Sequence, residues 1–127
     1  MKTVNCMTFW CLLTVAALAI GGCSSKKADE NKPISEVKAE AEKMDVGRLR
    51  NMAMTYKEAI AAKKVDLDKV AAKLNGIPIA KMVGDEAKQL KTEMENLNKS
   101  ISALKERFEV YYQKLKEKGG DLSGLEI

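Results

Sequence analysis

The sequence predicts an all-α fold built on a long antiparallel helical hairpin of coiled-coil character. Three observations predict it. Helix formers (Ala, Glu, Lys, Leu, Met) dominate the chain after Pro33. Two long stretches repeat apolar residues at alternating steps of four and three. A Gly-Ile-Pro interruption separates those stretches.

The first element is not part of that hairpin. Lys2 is a lone early positive charge, and residues 7–22 carry none. The run Cys11-Leu12-Leu13-Thr14-Val15-Ala16-Ala17-Leu18-Ala19-Ile20 is nearly all apolar and ends in Gly21 and Gly22. A basic start, an apolar middle and a small-residue end make a secretory signal. The run is short of the ~20 residues a spanning helix needs, and Gly-Gly-Cys-Ser-Ser follows it in place of a basic stop. Ile20-Gly21-Gly22-Cys23 resembles the lipobox of bacterial lipoproteins. That resemblance implies cleavage between Gly22 and Cys23, diacylglycerol on the Cys23 thiol, and often a further acyl chain such as palmitate on the new amine. It covers about the first 25 residues. Two or three chains hold a protein on a bilayer durably where one does so marginally. Ser24 after the cysteine resembles the sorting of such proteins to the outer membrane, facing the periplasm, where a host has two membranes.

Residues 1–22 are therefore expected as signal peptide, and residues 23–33 as a lipidated cysteine with a flexible polar tether. Pro33 suits a helix start, where its missing N–H is not needed. The first long helix is expected over about residues 35–75. Leu49, Ala53, Tyr56, Ile60, Lys63, Leu67, Val70 and Leu74 form its apolar series, with Lys63 the one charged member. Val37, Ala41 and Met44 keep the same spacing but slip phase near Asp45-Val46-Gly47, where a break would free a short extra N-terminal helix. Asp66 is a second possible break, although the series runs through it in phase.

The turn is expected at residues 76–79, with Gly76 taking the left-handed conformation that ends helices and Pro78 preventing continuation. The second helix is expected over about residues 80–118. Its series is Val83, Ala87, Leu90, Met94, Leu97, Ile101, Leu104, Phe108, Tyr111 and Leu115, more than four heptads without a fault. Asp85 and Glu86 near its start and Lys114, Lys116 and Lys118 near its end suit the helix dipole. Gly119-Gly120 ends it, and residues 119–127 form a short tail that folds back or stays loose. Counting outward from a four-residue turn puts Ile60 beside Met94 and both distal ends near the tether. The tip would then point away from the membrane.

Composition narrows the chemistry. Lys and Arg total 22 against 18 acidic residues, a mild and evenly mixed basic balance. No face collects the charge that nucleic-acid binding needs. There is no histidine, which excludes His-based zinc sites and Ser-His or Cys-His pairs. Cys6 and Cys11 fall in the signal, so Cys23 has no intramolecular disulfide partner after processing. Asp66-Leu67-Asp68 lacks the glycine and terminal glutamate of a calcium loop, and no phosphate-binding glycine loop occurs. The chain is expected to be no enzyme, with no cofactor, no metal, no small-molecule substrate and no nucleic acid.

Surfaces remain. A single hairpin seam is a thin core, and Met52, Met54, Ala59, Ala62, Ala71, Ala72, Met82 and Tyr112 widen its apolar stripe. Self-association into a bundle, or packing on another protein's helix, is the first expectation; cover by residues 34–46 is the second. Ile77, Pro78 and Ile79 at the tip, and Tyr112, are candidate partner contacts, although a local role for Ile77 and Ile79, clamping the two helix ends, is the favoured expectation. Phe108 and Tyr111 lie on the seam and read as core. The expected role is a lipid-anchored envelope lipoprotein acting as a structural or adaptor protein. The alternative is an amphipathic protein that binds or perturbs membrane surfaces after the hairpin opens. A wall-linked spacer fits less well, since that class ends in lysine and this sequence ends in Ile127.

Overall fold

The structure, a computed structural model, describes residues 27–127. The expected signal peptide, its cleavage position at Gly22 and the lipidation position Cys23 lie outside the described residues. The fold is all-helical: α1 (Ile34–Lys43), α2 (Val46–Asn75), a 3-10 turn (Ile79–Lys81) and α3 (Asp85–Glu117). α2 and α3 form the hairpin, and α1 packs on α3.

The first expected helix is two helices, and the break lies at Met44-Asp45, beside the phase slip at Asp45-Val46-Gly47. Asp45 is the reason. Its backbone is extended, and its Oδ1 accepts a hydrogen bond from the Arg48 N–H at 2.8 Å. That is an N-cap, which satisfies a donor the helix itself cannot. The other side of the break is closed by Lys118. Its Nζ donates to the Glu42 carbonyl at 3.0 Å and to the Met44 carbonyl at 2.7 Å, covering acceptors that the end of α1 leaves open. α2 then runs unbroken through Asp66, as its continuous phase predicts.

The turn is longer than expected. α2 stops at Asn75, but Gly76 keeps right-handed angles (φ −78°, ψ −10°), so a left-handed glycine does not end it. Pro78 does, because it begins the 3-10 turn and cannot continue an α-helix. Residues 76–84 connect the helices, and α3 starts at Asp85 instead of near residue 80. Val83, expected to head the seam, falls in this connection and is 80% exposed. The longer turn also slides the register. Tyr56 meets Tyr111, their ring centroids 5.6 Å apart, and Arg50 reaches Asp121. The far end of α3 turns at Gly119, whose φ of +69° is the left-handed angle expected there. Gly120 N–H then bonds the Leu115 carbonyl at 2.9 Å, closing the helix end.

The two ends of the hairpin differ. Around the end away from the turn, Val37, Ala41, Leu49, Ala53, Tyr56, Ile60, Leu104, Phe108, Tyr111 and Leu115 are all buried in one core. α1 covers it, running parallel to α3: Arg107 meets Lys32 just before α1, and Lys114 meets Glu42 near its end. The tail covers it too. Leu125 is buried and Leu122 packs beside it. Arg50 and Lys57 hold the tail by donating to the carbonyls of Ser123 (2.9 Å) and Gly124 (2.7 Å). Toward the turn, Leu67, Leu74, Leu90, Met94 and Leu97 are only half-buried, and just Val70 and Ala87 are closed off.

Candidate interaction surface

The polar stretch expected as a free tether is partly a strap. Ala28 packs against the core. The Tyr56 hydroxyl donates to the Asp29 carbonyl and accepts from the Asp29 N–H, both at 3.2 Å. Glu30 accepts from the Ser100 hydroxyl at 3.1 Å and pairs with Lys63 at 3.9 Å. Lys32 Nζ pairs with Glu40 at 2.5 Å. The buried Arg107 donates from Nε to the Lys32 carbonyl at 2.9 Å and from Nη1 to the Ala103 carbonyl at 2.6 Å. A buried guanidinium demands acceptors, and the backbone of the strap supplies one. Polar composition concealed this, because backbone groups do the bonding. The signal that was there is Arg107 beside Phe108 on a buried face, and Tyr56 with a hydroxyl to satisfy.

The strap meets the hairpin near the middle of α2, at Tyr56 and Lys63. Beyond it, no third helix covers the seam toward the turn among the described residues. The apolar series is periodic over both halves, but α1 stops short of covering both. Lys63, the charged member of the series, sits at the boundary and is half-exposed.

The candidate contact residues separate into two groups. Ile79 is 92% exposed and Pro78 is exposed, so Ile79 clamps nothing; Ile77 alone is half-buried between the helix ends. Tyr112 lies elsewhere. It is half-buried and stacked on Phe108, with centroids 5.6 Å apart, so it belongs to the edge of the core. The structure therefore brings Ile77, Pro78 and Ile79 together and leaves Tyr112 out. Sequence reasoning missed Val83 as a fourth member of the tip. Gly84 followed by Asp85-Glu86, an acidic first turn, was the sign that the helix begins after it. From residue 69 to residue 84 there is no acidic side chain. Lys73 and Lys81 border a shallow hollow there with Ile77, Pro78 and Leu90, and Glu86 closes its far side.

Near the other end, the charges are paired. Lys114 Nζ lies 2.5 Å from carboxylate oxygens of both Glu42 and Glu117. Hydrogen bonding and attraction from Lys114 hold the Glu42 carboxyl below its ordinary range. Asp121 is held low by the hydroxyl and N–H of Ser123, and less by Arg50. Burial, with the neighbouring Tyr56 and Glu40, pushes the Tyr111 hydroxyl well above the usual tyrosine range. Such groups lock structure in place. Among the described residues no group of three His, Cys, Asp or Glu side chains could hold a metal ion, and no helix is long and apolar enough to cross a membrane. No protein-family model matches the chain, and no curated protein and no solved structure matches it.

Proposed function

We propose that this protein is a lipid-anchored, non-enzymatic scaffold of the cell envelope, and that it presents the open half of its hairpin to a helical protein partner. The observation that carries this reading is the seam beyond the end of α1. Leu67, Leu74, Leu90, Met94 and Leu97 stand at heptad positions yet stay half-buried, and such positions take up knobs from an added helix. The lipobox-like residues Ile20-Gly21-Gly22-Cys23 support attachment at one end. Opening the hairpin onto lipid, the alternative, would first have to break the strap's hydrogen bonds to Tyr56 and Arg107 and separate the packed Leu49, Tyr56, Phe108 and Leu115.

Two measurements test it. Fatty-acid labelling of the chain in a lipoprotein-processing host should mark wild type and not Cys23→Ser; equal labelling of both ends the anchor reading. Photo-crosslinkers placed at Leu90 and Met94 should capture a protein that the same group at the exposed Lys105 does not. Identical products from all three positions would end the seam reading.

A further inference from the structure

We infer that the tip of the hairpin, residues 78–83, is a second membrane contact. It sets Ile79 and Val83 into the headgroup region of an anionic bilayer and Lys73 and Lys81 against its phosphates. Two facts make the tip chemically suited. Ile79 and Val83 are 92% and 80% exposed, the two most exposed of the large hydrophobic side chains among the described residues. Residues 69–84 around the lysines hold no carboxylate, and although Glu86 lines the same hollow, no ion pair joins Lys73 or Lys81 to another described residue. Apolar insertion with basic flanks is how proteins rest on a bilayer without spanning it.

The geometry of the strap puts a bilayer within reach, and this step rests on the Cys23 reading. The fold is fastened from Ala28 onward, at the core, Tyr56 and Lys63. Five residue steps separate Ala28 from Cys23, about 17 Å at full extension. To Gly76 the helix rises about 20 Å from Lys63 and about 30 Å from Tyr56, so the tip meets the bilayer with the hairpin inclined toward it. An anchor that enters at mid-hairpin does not hold the base against the membrane and the tip away from it, as an attachment at the distal end would. The two ends compete for the surface, and their chemistry decides. The base is mixed in charge: exposed Lys43, Arg48, Lys116 and Lys118 stand among exposed Glu42, Asp45, Glu117 and Asp121. The tip carries Lys73, Lys81 and bare aliphatic groups, with Asp85 and Glu86 behind them at the start of α3. Two lysines near an anionic surface strengthen association by roughly 30-fold, and what sets the tip apart from the base is Ile79 and Val83, more exposed than any large apolar side chain there.

The test uses the full lipid-modified chain. Trp10, the one tryptophan of the sequence, leaves with the signal on that reading, so Val83→Trp puts a single indole at the tip, where 80% exposure means the fold does not depend on the side chain; Trp10→Phe keeps unprocessed chain from adding a second. Vesicles of phosphatidylcholine with phosphatidylglycerol, with and without brominated acyl chains, are the probe. The expected result is a blue shift and bromine quenching in phosphatidylglycerol vesicles, largely lost when Lys73→Gln and Lys81→Gln are added or salt is raised. A chain that floats with the vesicles while its indole stays in water overturns the tip contact and leaves the anchor standing. An indole shielded equally without vesicles overturns it in favour of a protein occupant, such as a second copy. A chain that neither floats nor shifts overturns both the anchor and the tip.

Discussion

The two halves of the hairpin share one sequence pattern and differ in what covers it. In the half away from the turn, α1, the strap and the tail enclose the seam, and Tyr56, Tyr111, Leu49 and Leu115 are almost without exposure. In the half toward the turn, the same heptad spacing leaves Leu67, Leu90, Met94 and Leu97 half in water. Periodicity selects the face of a helix that is apolar. It does not say how many neighbours will close over that face. The difference is set by where α1 ends and where the strap is tied, and the open half is where function is most economically placed.

The strongest way to break this comparison is to remove one leucine from each half. Leu115→Ala and Leu104→Ala empty a closed core and should cost about 3 kcal/mol each. Leu90→Ala and Leu97→Ala trim side chains that water already reaches and should cost about 1 kcal/mol. Urea unfolding of the four variants decides it. Equal losses would mean that both halves are closed in solution, by self-association or otherwise, and concentration dependence would then identify self-association.

A smaller loss should follow from untying the strap. Arg107→Met keeps the packing stem but removes both donors, the one to Lys32 and the one to Ala103. The expected cost is about 2 kcal/mol, with amide exchange rising at residues 29–32 and in α1. Exchange around Leu90 and Leu97 should stay as it was. If protection is lost along the whole hairpin, the strap supports the open half as well, and the two halves are one cooperative unit.

Much of the closed half was legible in the sequence. The spacing from Ile101 to Leu115 named every α3 core residue of that half except Arg107, and the slip near Asp45 marked the helix break to within a few residues. The register was not legible, because a nine-residue connection and a four-residue one look alike when both contain Gly76 and Pro78. The strap and the tail were not legible either. Each is held by backbone carbonyls meeting Tyr56, Arg107, Arg50 and Lys57, and a carbonyl leaves no mark in composition. The candidate tip residues were found by their apolar character in a turn, yet Val83 was lost to the heptad because its spacing fitted the series perfectly.

Alkaline titration separates the halves by a different route, since all three tyrosines lie on the closed side of the strap. Tyr111 is held neutral in the folded chain, its ionisation pushed well above the ordinary value near 10 by burial first and then by Tyr56 and Glu40. In the unfolded chain it ionises near 10. Its contribution to stability is therefore complete below that pH and is lost as the pH rises beyond it. Unfolding followed against pH should show stability falling above pH ~10, and Tyr111→Phe should flatten much of that fall. An unchanged alkaline slope in the variant would assign the effect to other groups.

The smallest expected effect is electrostatic and lies at the junction of α1 with α3. Lys114 lies between Glu42 and Glu117, and it draws the Glu42 carboxyl below its ordinary range. A lowered folded value means that the contribution is present above the unfolded glutamate range and disappears as the pH falls through the folded one. Both carboxylates are largely exposed, so water and salt screen the pair. Glu42→Gln should therefore lower stability slightly at neutral pH and low salt, and not at all in acid or in high salt. A loss that persists in high salt would show that Glu42 fastens α1 by more than its charge. The closed half would then owe its third helix to this junction as well as to the buried Val37 and Ala41.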